Sequence, residues 1–153
     1  MSPEPHTALT SAPGVGRRYL IDNSVWARLS LSPVVAARVI QIQRDHTICV
    51  TTAQVLEHGF SAQSPADLDR SHGAMAAFAV LHMSARTHEL ALSVQQRLWH
   101  SGRARAAGAF DTLIAAVAIE HSATVLHYDR DYEHIAAVVA EFQHEPVVTL
   151  GSL

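Results

Sequence analysis

The 153-residue chain has no lysine, a single cysteine, and no apolar run approaching the roughly 18 residues a membrane-spanning helix needs. Its first sixteen residues lack the basic start and apolar stretch of a secretory signal, so the expectation is a soluble, cytoplasmic protein. One cysteine excludes both a disulfide framework and a CxxC metal site, and Cys49, inside a β-rich run, reads as an inert buried thiol. HExxH and HxxxH pairs are also missing, and His121, His127 and His134 fall on separate elements, which argues against zinc. Eleven arginines are the only strongly basic residues against fourteen acids, giving a net charge of −3. That balance excludes a broad electrostatic grip on nucleic acid.

What is present describes a globular domain. The chain is 48% hydrophobic and 16% charged, with a mean hydropathy of +0.10. Its length suits one domain, which at this size buries roughly 68 to 70% of its unfolded surface and needs no structural metal. Residues 1–16 contain Pro3, Pro5, Pro13, Gly14 and Gly16 and read as a flexible tail, leaving residues 17–153 as a single domain.

Short β-rich runs alternate with longer helical patterns, as in parallel sheets joined by crossover helices. Strands are expected at Tyr19-Leu20-Ile21, Thr47-Ile48-Cys49-Val50, more weakly Leu90-Ala91-Leu92, Thr124 to Tyr128, and Pro146 to Leu150. Ser32-Pro33 opens a helix to about Arg44, and Thr51 or Thr52 caps one carrying Val55, Leu56, Glu57 and Phe60. Ser64-Pro65-Ala66-Asp67 opens an alanine-rich helix to about Met83. Ser93 and Gln96 suggest a capping box for a helix ending at Gly102. Thr112 to His121, headed by Asp111, is apolar on nearly every face and reads as a buried helix; a short helix through Ile135 and Val139 follows Asp129. The fold expected is an α/β three-layer α/β/α sandwich around a mostly parallel sheet.

The placement of acids carries the functional signal. Asp22 and Asp129 directly follow strands, Asp111 heads a helix, and Glu57 lies in the first turns of the helix after the second strand. In an open parallel sheet these positions share the edge where ligands bind. Four carboxylates converge there, with Asp131 a fifth. At about 5 Å and an effective dielectric near 20, each ionised pair repels by roughly 3 kcal/mol, so a cation or a proton has to offset the repulsion. Oxygen-only donors suit Mg²⁺ or Mn²⁺, ions that act on phosphates. Taken singly, Asp22, Asp111 or Asp129 is more often a cap or Asx-turn residue, and the weight of the reading lies in their combination.

Together, Tyr19-Leu20-Ile21-Asp22-Asn23-Ser24-Val25-Trp26, Glu57 within a helix, Asp111-Thr112-Leu113-Ile114-Ala115-Ala116, and Leu126-His127-Tyr128-Asp129-Arg130-Asp131-Tyr132 resemble the PIN-domain ribonucleases, and more narrowly the VapC toxins of toxin-antitoxin pairs. The resemblance runs from about Arg17 to Leu153. It implies a Mg²⁺- or Mn²⁺-dependent endoribonuclease, neutralised by a VapB-type antitoxin, that cuts transfer RNA or a ribosomal RNA loop by in-line attack of water and releases a 3′-hydroxyl. By position, Asp22 and Asp111 would be the main metal ligands, Glu57 and Asp129 would complete the cluster, Ser24 would steady the metal shell, and Asp131 would add a further acid. The chain departs from the pattern at Asn23, where threonine is frequent, at His127, where threonine often precedes the strand-end acid, and at Tyr132, where phenylalanine is usual. In the family, helices near Ala66 to Met83 pair subunits and receive the antitoxin, so a homodimer is expected.

Arg103 and Arg105, in the loop leading to Asp111, are candidates to grip RNA phosphates; the plain alternative is two solvated loop arginines. Trp26, Trp99, Phe60 and Phe78 can stack on bases but at helical positions fit core or dimer contacts better. Three rival readings stand beside the nuclease. A haloacid dehalogenase type phosphatase would need an aspartate where Ser24 stands, and a D-x-S-x-S adhesion module would need serine at Trp26. A non-cleaving PIN-like binding module fits the same motifs. Setting the five site acids aside leaves nine acids against eleven arginines, a remainder of +2, so the acidity is concentrated where a cation would neutralise it.

Overall fold

Successive side chains of strands only a few residues long enter opposite layers, and both layers bury them. The computed structural model describes residues 16–153; of the tail expected over residues 1–16, all but Gly16 lies outside the described residues. Five strands, β1 (Arg18–Ile21), β2 (Thr47–Val50), β3 (Ala79–Val80), β4 (Thr124–His127) and β5 (Gln143–Pro146), pair in the order β3-β2-β1-β4-β5, all parallel. Among the described residues seven helices accompany them: α1 (Asn23–Trp26), α2 (Pro33–Asp45), α3 (Thr52–Gly59), α4 (Pro65–Met75), α5 (Ala85–His100), α6 (Ala109–Glu120) and α7 (Arg130–Val138).

Leu20 sits opposite both Cys49 and Val125. This row packs under Ala53 of α3, Val94 and Leu98 of α5, Ile114 and Val117 of α6, and Tyr132 and Ile135 of α7. Because side chains alternate along a strand, Tyr19, Ile21, Ile48 and Leu126 face the other way, against Val25 of α1 and Val35, Val39 and Ile42 of α2. Burying each such side chain contributes about 1.5–3 kcal/mol. The three layers follow, and α6 is central as its apolar sequence requires, with Ile114, Ala115, Ala116, Val117 and Ala118 fully buried.

Several boundaries differ from the sequence reading. Leu90-Ala91-Leu92 is not a strand but the middle of α5. The helix starts earlier because Ser84, not Ser93, forms the capping box: its hydroxyl accepts from Arg86 N–H at 3.0 Å while Thr87 Oγ1 accepts from Ser84 N–H at 2.9 Å. Thr87, Leu90, Val94 and Leu98 then line one buried helical face. The third strand is instead Ala79–Val80, because α4 ends at Met75 rather than Met83. Strand β5 precedes the apolar Pro146 to Leu150 run; its polar residues suit a sheet edge, and Val147 N–H still bonds His127 O at 2.8 Å. The single turn α1 escaped the pattern, being only four residues long.

Gly102 stops α5 as expected. It adopts φ +77°, and the N–H groups of Gly102 and Arg103 return to the carbonyls of Trp99 (3.1 Å) and Leu98 (2.8 Å), a Schellman closure. Gly102→Ala is expected to destabilise the protein by about 1 kcal/mol, read by urea unfolding, because a Cβ is unfavourable in the left-handed region.

Strands β1 and β4 are neighbours, yet the chain leaves β1 toward β2 and leaves β4 toward β5. Their connections therefore diverge and open a crevice at the carboxyl ends of the two strands.

Candidate active site

Asp22 continues β1 by one residue, its N–H donating to Leu126 O at 2.9 Å, and then caps α1. Both carboxylate oxygens are engaged: Oδ2 accepts from Ser24 N–H at 2.9 Å and Oδ1 from the Tyr132 hydroxyl at 2.7 Å. Ser24 Oγ accepts from Tyr128 N–H at 2.9 Å, which ties α1 to the end of β4. Asp129 caps α7, its Oδ1 accepting from Asp131 N–H at 2.9 Å. Asp111 stands in the first turn of α6. Three helix starts thus present their acids to one crevice, where the partial positive charge of each terminus favours a carboxylate.

Asp111, Asp129 and Asp131 each offer an oxygen, all within 4.8 Å of one another. Asp131 also reaches the arginine loop, accepting from Gly108 N–H at 3.2 Å. A Cβ at Gly108 would stand 3.3 Å from Asp111 Oδ2, close enough that the carboxylate would have to give way slightly. Among the described residues none of Asp22, Glu57, Asp111, Asp129 or Asp131 forms an ion pair.

The electrostatics follow from that crowding. Burial, then a hydrogen bond to Asp131, then the charges of Asp22, Asp129 and Asp131 push the Asp111 carboxyl up to about 8. Burial also raises Asp129. The Tyr132 phenol is held well above its usual range, first by burial and then by the Asp22 charge, so it stays a donor. Burial and the nearby His144 depress His127 to about 4, which keeps it neutral. A half-buried set of carboxylates with no ion-pair partner among the described residues is the donor chemistry of a hard divalent cation, so the residues fit the metal that the resemblance implies.

Glu57 lies to one side of the trio. It is half-buried and accepts from Asn23 Nδ2 at 2.9 Å; the same amide donates to Gln54 O at 3.0 Å, and Gln54 Nε2 returns a bond to Asn23 Oδ1 at 3.0 Å. The departure at Asn23 is therefore the residue that tethers Glu57 to the end of β1. Gln54, wholly buried, escaped the sequence reading; Tyr132 was noted only as a departure. Their one signal is nearness to the acids in sequence, Gln54 three residues before Glu57 on α3 and Tyr132 directly after Asp131 on α7. Arg103 is half-buried and Arg105 exposed in the loop that Asp131 tethers. Of the aromatics, Trp26 packs on Phe78 with ring centroids 5.4 Å apart, whereas Trp99 and Phe60 are exposed. Cys49 is buried, with its thiol raised by that burial.

Residues 19–138 match the family described as PIN domain. Ribonuclease VapC51 of Mycobacterium tuberculosis (strain ATCC 25618 / H37Rv) is 37% identical over 124 residues, 81% of this chain and 89% of that protein. Ribonuclease VapC2 of Mycobacterium tuberculosis (strain CDC 1551 / Oshkosh) is 35% identical over 127 residues, 82% of this chain and 89% of that protein. Among solved structures, VapBC2 from Rickettsia felis, bound to a DNA fragment from its promoter, matches with a TM-score of 0.70 at 13% identity, covering 84% of this chain and 98% of that one. Mycobacterium tuberculosis VapC20, a sarcin-ricin loop cleaving toxin, matches at 0.56 with 16% identity, covering 82% and 98%. These structural likenesses concern the fold, and the sequence relatives narrow it: with its acidic crevice between β1 and β4, this chain belongs to the PIN-domain family, among the VapC ribonucleases.

Proposed function

We propose that this chain is the toxin of a toxin-antitoxin pair, an endoribonuclease that hydrolyses RNA phosphodiesters with Mg²⁺ or Mn²⁺ and is neutralised by a VapB-type antitoxin. The observation that carries the reading is the convergence of Asp111, Asp129 and Asp131 within 4.8 Å, beside buried Asp22 and without an ion-pair partner among the described residues. Residues 17–153 act as the nuclease domain, in the cytoplasm, on transfer RNA or ribosomal RNA.

In this reading Asp22, Glu57, Asp111 and Asp129 hold the cation, which when bound neutralises charge on the scissile phosphate and acidifies water. Asp111, its carboxyl pushed up to about 8, would have to give up its proton to serve as a ligand. Ser24 fixes Asp22 through its own N–H and fixes the end of β4 through its hydroxyl. Asp131 anchors Gly108 and with it the loop carrying Arg103 and Arg105. Hydrolysis of this kind rests on positioning and charge stabilisation, so no protein nucleophile is required.

Arg103 and Arg105 are the substrate-binding residues of the reading. Reversing both charges is expected to weaken RNA binding and to reduce the slope of log affinity against log salt by about 1.4, near 0.7 per lost phosphate contact on single strands. An unchanged slope would return them to solvated loop residues. A homodimer belongs to the reading as well, supported by apolar exposure at Leu56, Phe60, Val80 and Met83.

The test is total RNA incubated with purified protein in Mg²⁺, Mn²⁺ or EDTA. Expected are discrete fragments with 3′-hydroxyl ends in either cation and none in EDTA. Undiminished cutting in EDTA, or no cutting by folded protein in either cation, would overturn the proposal.

A further inference from the structure

Tyr132, in the first turn of α7, carries a phenolic oxygen on a fully buried ring. That oxygen lies 2.7 Å from Asp22 Oδ1 in a place that water does not reach, since Tyr132 is fully buried and Asp22 only 3% exposed. The ring cannot turn away. His127 stands against it with centroids 5.0 Å apart and Phe142 at 6.1 Å, while Phe142 stacks on His144 at 5.6 Å with planes 9° apart. The hydroxyl is therefore placed by packing on β4 and the segment leading into β5, not by the carboxylate that it meets. With Ser24 N–H on Oδ2, the Asp22 carboxylate has a donor on each oxygen and little freedom to rotate.

His127 supports the neighbouring acid from the same cluster. Its Nδ1 accepts from Asp129 N–H at 3.2 Å, so its proton sits on Nε2, which lies 2.9 Å from His144 Nδ1. One group of four rings thus braces both strand-end carboxylates, Asp22 through a side chain and Asp129 through its backbone.

We propose that Tyr132 is a positioning residue of the cation site, its hydroxyl holding the Asp22 carboxylate in place before any cation arrives. The proposal rests on the reading of Asp22 as a ligand. Partners that orient a ligand typically change metal affinity by about 10–100-fold when removed, and an unanchored carboxylate must be ordered at the moment of binding.

The experiment measures Mn²⁺ binding by electron paramagnetic resonance, without RNA, for the wild type, Tyr132→Phe, Asp22→Asn and Ile135→Val. Ile135→Val thins the packing of α7 without touching the hydroxyl. Expected is about a 10-fold or greater loss of affinity in Tyr132→Phe, near wild-type affinity in Ile135→Val despite a lower Tm, and loss of binding in Asp22→Asn. Cleavage by Tyr132→Phe should recover as Mn²⁺ is raised. Wild-type affinity in Tyr132→Phe alongside loss in Asp22→Asn would overturn the positioning role alone. An equal loss in Ile135→Val would reduce that role to packing. Wild-type affinity in Asp22→Asn would overturn the reading on which both rest.

Discussion

Replacing Asp111 with asparagine will lower RNA cleavage by about 10²- to 10³-fold, the scale of losing a group that stabilises charge in the transition state, and will make the metal-free protein more stable. The two effects share a cause. Asp111 is forced toward its protonated form by burial, by its bond to Asp131 and by three neighbouring carboxylates. Asparagine is close to an isostere of that protonated acid; it keeps a donor for Asp131 but cannot become an anionic ligand. In the metal-free protein that carboxyl must either hold its proton or add a charge among its neighbours, where each ionised pair repels by about 3 kcal/mol at 5 Å and an effective dielectric of 20, and asparagine escapes both costs. For a domain of this size each kcal/mol moves Tm by about 2–4 °C. Single-turnover cleavage and calorimetry in EDTA check both halves. A variant that still cleaves, or that melts below the wild type in EDTA at pH 8, would contradict the account.

In EDTA, the wild type will lose stability as pH rises from 6.5 to 8, and saturating Mg²⁺ will abolish that loss. The folded-state value of Asp111, about 8, lies above its ordinary 3.8. Between those values the folded protein therefore holds a proton that the unfolded chain has released. Stability contributed by that proton is fully present below about 3.8 and is lost as pH rises toward 8, with a limiting slope of about 1.4 kcal/mol per pH unit. His127 works in the opposite sense and lower down: depressed from 6.5 to about 4, it costs stability only as pH falls through that range. Above pH 6.5 the carboxylate effect is therefore seen with little interference. A cation that takes the place of the proton binds more tightly as pH rises, so its contribution to Tm grows over the same window. The difference between wild type and Asp111→Asn melting curves isolates the group. Parallel curves across pH 6.5 to 8 would remove Asp111 as the seat of the shift.

The acids were legible because their types and places obey simple rules. Asp22 and Asp129 end strands, Asp111 and Asp131 open helices, and a parallel sheet sends all such positions to one edge. The alternation of Tyr19-Leu20-Ile21 against two apolar layers was legible for the same reason. The short elements were not. Ala79–Val80 is a strand by virtue of its pairing with Cys49 and Val50, a tertiary fact that no two-residue pattern announces. Leu90 and Leu92 mimic a strand's alternation, but Ser84 and Thr87 start a helix that carries Leu92 to the surface. The groups that hold the acids were hidden too, because Gln54 and Tyr132 meet the site only after α3 and α7 fold back over the sheet.

A crystal of the protein soaked in Mn²⁺, examined for anomalous scattering, tests whether the crevice between β1 and β4 is a cation site. A strong peak is expected among Asp22, Asp111 and Asp129, with the Asp111 carboxylate turned toward it, and no such peak in Asp111→Asn crystals. A peak elsewhere, or an empty acidic crevice in protein that cleaves RNA under the same conditions, would contradict it.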